Sequence, residues 1–69
     1  MEYLVSYQRR GSTSRVCAST PSVSTAWQVY DEAKILLART GGGWVALYAD
    51  MAMLAETIVY ELDTAEVQP

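Results

Sequence analysis

Bulky β-formers alternate with small or polar residues along Tyr3-Leu4-Val5-Ser6-Tyr7-Gln8, the period of two that marks a half-buried strand. A first strand is therefore expected over residues 3–9. Arg10-Gly11-Ser12-Thr13 reads as a turn, and the chain returns as a second strand over 14–19. Register follows from hydrophobic matching, because a slip of one residue moves the whole apolar set to the other face. Pairing Arg9 with Ser14 sets Tyr7 opposite Val16, Val5 opposite Ala18 and Tyr3 opposite Thr20 on one apolar face. The other face then carries Leu4, Ser6, Gln8, Arg15, Cys17 and Ser19.

Beyond Pro21 the period changes to that of a helix, expected over 22–39. At 100° per residue, Ala26, Val29, Tyr30, Ala33, Leu36 and Leu37 fall in one stripe. Ser22, Ser24 or Thr25 can cap its start, and Thr25 with Gln28 fits a capping box. Arg39 in the last turn complements the helix dipole, and Gly41-Gly42-Gly43 ends the element. Trp27 lies on the flank of the stripe and Ile35 on its far side.

The last third reads two ways. As strands, 44–49 and 56–62 form a second hairpin around Asp50–Met53, favoured by Trp, Val, Tyr, Thr and Ile. As a helix, Trp44, Leu47, Tyr48, Met51, Leu54, Ala55, Ile58 and Leu62 make an equally good stripe, and Asp50–Met53 is a poor turn without Gly, Asn or Pro. A lone hairpin is marginal in water, and Thr57-Ile58-Val59 suits a strand better than a helix end. The expected fold is α+β, a single small ββαββ domain over 1–69 with one helix on an antiparallel sheet. A β-hairpin followed by two helices is the alternative. The stretch 44–49 is apolar on both faces, so no register follows for the second hairpin. Residues 64–69 are expected to form a frayed tail.

Composition narrows the function classes. At 69 residues there is room for one core only, and oligomerisation is a natural supplement to its stability. Half the residues are hydrophobic and the net charge is only -3, which favours a folded globule. No run of about 18 apolar residues suggests a membrane span, and the N-terminus lacks the pattern of a signal peptide, so a cytoplasmic location is expected. Cys17 is the single cysteine and there is no histidine, so neither an internal disulfide nor a zinc site is expected. A reduced, half-buried thiol is the simpler reading of Cys17, and an intermolecular disulfide or a reactive thiol the other.

Without histidine the usual general base is missing, and no group stands ready to activate a serine. Carboxylate pairs such as Asp50 with Glu56, or Asp31 with Glu32, are conceivable, but scattered acids need no catalytic explanation. The triple glycine lacks the Lys-Ser/Thr of a phosphate loop and follows a helix instead of leading into one. The chain is expected to be no enzyme and to use no cofactor or metal.

Charge is unevenly distributed. Residues 1–20 carry +2 through Arg9, Arg10 and Arg15 against Glu2, whereas residues 40–69 carry -5. Arg9, Arg10 and Arg15 around one turn, with Tyr3 and Tyr7 beside them, suggest a nucleic-acid contact. The acidity of the chain argues against it, and solvated charges that keep a strand end from mispairing are the simpler account of the cluster. Asp50, Glu56, Glu61 and Asp63 offer an acidic surface to a basic partner. Trp27, Ile35 and Leu4 are hydrophobics outside the expected core and mark a candidate binding face. The leading expectation is an acidic protein-interaction module of the inhibitor, adaptor or regulatory kind that phages and mobile elements encode. It would act on a protein partner or as a homodimer, with nucleic-acid binding as the alternative.

Overall fold

The computed structural model describes residues 1–61. The expected tail 64–69, Asp63 and the end of the expected strand 56–62 lie outside the described residues. Four strands and one helix follow in the order β1 (Tyr3–Arg9), β2 (Arg15–Thr20), α1 (Val23–Arg39), β3 (Gly43–Ala49) and β4 (Ala52–Val59). The fold is a small α+β domain of ββαββ order, and residues 44–61 contain no second helix. The sheet is antiparallel throughout in the order β2-β1-β3-β4.

In the first hairpin Tyr3 faces Thr20, Val5 faces Ala18 and Tyr7 faces Val16. Gly11 adopts φ +81 in the turn, where Ser12 N–H donates to the Arg9 carbonyl at 3.0 Å. The helix begins one residue later than expected. Ser22 is the N-cap, its Oγ accepting from Thr25 N–H at 3.3 Å, so Thr25 lies inside the first turn and forms no capping box. At the other end Thr40 N–H and Gly42 N–H both donate to the Leu37 carbonyl, at 3.1 and 2.6 Å. This helix end releases the chain directly into β3.

The fourth strand departs most from expectation, starting at Ala52 instead of 56. Only Asp50 and Met51 remain between the strands. Asp50 makes the turn possible without glycine because it takes φ +54, a conformation Asp tolerates better than most residues. Its backbone N–H donates to the Glu2 carbonyl at 2.8 Å, and its Oδ1 accepts from Glu2 N–H at 3.3 Å. A bulge between Leu47 and Tyr48 then shifts the register, pairing Leu47 with Ala55 and Tyr48 with Met53.

The core lies between α1 and one face of the sheet, chiefly over β1 and β3. Val5, Ala26, Tyr30, Ala33, Leu37, Val45 and Leu47 are buried there. Tyr30 also reaches an edge strand, its hydroxyl lying 2.6 Å from Thr57 Oγ1 on β4. Leu36 was expected in the buried stripe, yet it is 44% exposed and flanks the core together with Val29. The helix is rotated so that Tyr30 and Leu37, not Leu36, lead its inner face.

Candidate functional site

Alternation in a strand sends neighbouring side chains to opposite faces. Since Val5, Val45 and Leu47 meet the helix, Leu4, Ser6 and Gln8 of β1 and Trp44, Ala46 and Tyr48 of β3 point the other way. Register carries this face across the sheet in three rows. The first is Ser19, Leu4, Tyr48 and Met53; the second Cys17, Ser6, Ala46 and Glu56; the third Arg15, Gln8, Trp44 and Ile58. Among the described residues no element covers these rows.

The middle row is small, and the outer rows lean over it. Ser6 and Ala46 are buried although no helix lies above them. Trp44 Nε1–H donates to Glu56 Oε2 at 2.8 Å, which shows the indole bent towards the middle row. The Arg15 guanidinium lies 5.1 Å from the centre of the same ring, reaching from β2 across β1. Such stacking is worth roughly 0.5–1 kcal/mol at exposed sites. Arg15, Trp44 and Glu56 thus form a chain across one end of the face. The opposite end is apolar, with Leu4 and Tyr48 half-buried and Met53 exposed. Ile58, at the β4 edge, is 57% exposed.

Beside Trp44 the face dips into an open depression of about 480 Å³, lined among others by Arg9, Arg10, Arg15, Trp44, Ile58 and Tyr60. The three arginines expected to cluster therefore do line one hollow. Among the described residues the only ion pair is Lys34 with Asp31, at 3.4 Å, so none of the three arginines is paired with a carboxylate there. The aromatic partner is not the one expected. Tyr3 and Tyr7 pack on the helix side of the sheet, and Trp44 is the ring that meets Arg15.

The other expected sites disperse. Leu4 belongs to the uncovered sheet face, whereas Trp27 and Ile35 are exposed on α1, on the far side of the sheet. Trp27 packs edge-on against Tyr30, ring centres 5.5 Å apart. These three residues do not form one surface. Asp50 is engaged at the β3–β4 turn and Glu56 at Trp44, so the two carboxylates do not converge. Glu61 follows the end of β4, near Tyr60. Asp63 lies outside the described residues. Cys17 is exposed instead of half-buried, with its Sγ–H directed at Ser6 Oγ, 3.6 Å away. Among the described residues no group of three metal-ligating side chains exists, and no helix is long and apolar enough to cross a membrane.

The sequence reading missed Trp44, Tyr48, Met53 and Ile58 as surface residues. For Trp44 and Tyr48 the signal was the two-faced apolar character of 44–49, which departs from the alternation of a strand with one face in water; Met53 and Ile58 carried no such local signal. The fold is a two-layer domain in which one sheet face is uncovered among the described residues. Compared with known protein families, curated proteins and solved structures, the chain matches none.

Proposed function

We propose that this chain is a small, non-enzymatic interaction protein, a regulator, inhibitor or adaptor of the cytoplasm, that binds protein through its uncovered sheet face. The observation that carries this reading is the apolar set Leu4, Trp44, Tyr48, Met53 and Ile58 on a face that no other element covers among the described residues. An antiparallel sheet with one face in water ordinarily turns polar residues outward. Aromatic residues and Met are enriched at interface centres, and Trp and Tyr often carry the binding energy there. Trp27 and Ile35 on α1 form a separate, smaller candidate surface.

The test is binding, whether to itself or to a captured protein, by the wild type and by Ile58→Asp and Ile35→Asp. The face reading expects Ile58→Asp to abolish association and Ile35→Asp to leave it unchanged. The reverse pattern would overturn it. A second reading, nucleic-acid binding at Arg9, Arg10 and Arg15, is favoured by the Arg15 stack on Trp44 beside the depression. It expects a salt-sensitive gel shift with single-stranded nucleic acid that the triple Arg→Ala variant loses, and no shift at low salt eliminates it.

A further inference from the structure

The uncovered face raises the question of its occupant, and the placement of charge on it answers for one. We infer that the occupant is a second copy of this chain, stacked face to face about a two-fold axis parallel to the strands. This inference rests on the sheet-face reading above and goes further by naming the partner and the geometry.

Two copies stacked through the same face have two principal two-fold arrangements. With the axis perpendicular to the strands, each strand lies over its own counterpart. Glu56, in the middle row of β4, then faces Glu56 of the other copy, and like charges in a desolvated contact are unfavourable. With the axis parallel to the strands, β2 of one copy lies over β4 of the other. Arg15 then lies over Ile58 of the other copy, one row from its Glu56, which itself lies over Cys17, and the arrangement occurs twice by symmetry. The charge layout reinforces this beyond the face itself. Arg9 and Arg10 lie at the end of the β1–β2 hairpin, and Glu61 follows the end of β4 at the same end of the sheet. The parallel axis keeps that end over itself and crosses the basic edge onto the acidic one.

The apolar rows fit the same arrangement. Rows lie over their own counterparts with β1 above β3, so Leu4 meets Tyr48 and Gln8 meets Trp44 of the other copy. The centre of the middle row needs no filling from outside, because its own neighbours already bury Ser6 and Ala46. Four strands about 4.8 Å apart and roughly seven residues long give a flat footprint of about 19 by 24 Å. That places the contact at the small end of specific interfaces.

The experiment is sedimentation equilibrium over a wide concentration range, on the wild type, Arg15→Glu, Glu56→Arg and the double variant, with circular dichroism to verify folding. Each single reversal places like charges within one row of each other, twice over by symmetry, and is expected to weaken the dimer at least tenfold. An equimolar mixture of the two single variants, and the double variant alone, are expected to recover it. Glu56→Gln keeps an acceptor for the Trp44 indole and separates loss of that bond from charge reversal. Cys17 supplies an independent geometric readout. In Glu56→Cys, at a protein concentration where sedimentation shows that variant to be dimeric, a short bis-maleimide reagent is expected to link Cys17 to the introduced thiol of the other copy, giving a covalent dimer. The wild type, whose two Cys17 thiols lie at opposite edges, is expected to remain unlinked. A wild-type dimer cross-linked readily through Cys17 alone overturns the proposed axis. A wild type that stays monomeric, yet captures another protein in a manner that Ile58→Asp abolishes, overturns self-pairing and leaves the sheet-face reading intact. A monomer that captures nothing through this face overturns both.

Discussion

Leu36 and Leu37 are adjacent, chemically identical and both within the apolar stripe of α1, so truncating each in turn tests how the helix sits. Leu37 is fully buried beneath β3, with its Cδ2 close to Gly43, whereas Leu36 is 44% exposed at the helix flank. Leu37→Ala removes three carbon groups worth about 0.8 kcal/mol each and leaves a cavity, for a total of about 3–4 kcal/mol. Leu36→Ala loses only part of the transfer term and leaves no enclosed void, so about 1 kcal/mol is expected. A 69-residue domain has a total stability of about 3–10 kcal/mol, so Leu37→Ala should remove a large share of it. Urea unfolding followed by circular dichroism, at one fixed protein concentration so that self-association does not bias the comparison, measures both. Equal losses, or a larger loss at Leu36, would falsify the helix rotation described above.

The contact between α1 and the edge strand β4 is carried in part by the Tyr30 hydroxyl at Thr57. Tyr30→Phe should cost about 1 kcal/mol in the same assay, since Thr57 is half-buried and its hydroxyl can turn to water. No further loss should appear when Thr57→Val is added. Gly43→Ala should be far more costly than Gly11→Ala. A Cβ at Gly43 would meet the Gln8 carbonyl and lie 2.9 Å from Leu37 Cδ2, whereas at Gly11 nothing lies within 4 Å. Thermal unfolding should register about 3 kcal/mol for the first and about 1 kcal/mol for the second, the latter from the left-handed backbone alone.

The register of the first hairpin and the extent of the helix were legible because each element gathers most of its apolar residues on one face, although Val16 and Ala18 of β2 and Leu36 of α1 are exposed. The second hairpin was harder for two physical reasons. Residues 44–49 are apolar on both faces, which leaves pairing against β4 undetermined by burial. The turn is made by Asp50, held by Glu2 from the other end of the sequence, and such a long-range tie leaves no local mark. The same two-faced strand is what conceals the candidate site. Trp27 and Ile35 stood out because they miss a helical stripe, a rule that works on one element alone. Trp44, Tyr48, Met53 and Ile58 become a surface only once the register is known and a single helix is seen to cover only one side.

The two tryptophans lie on opposite sides of the molecule and make the most direct test of where it binds. In Trp27→Phe the remaining emitter is Trp44 on the uncovered sheet face, and in Trp44→Phe it is Trp27 on the helix. Acrylamide quenching of each variant, measured as concentration is raised or a bound protein is added, reports which side becomes covered. Progressive protection of Trp44, with Trp27 quenched as in the dilute protein, is the predicted result. Protection of Trp27 while Trp44 stays accessible would contradict the account.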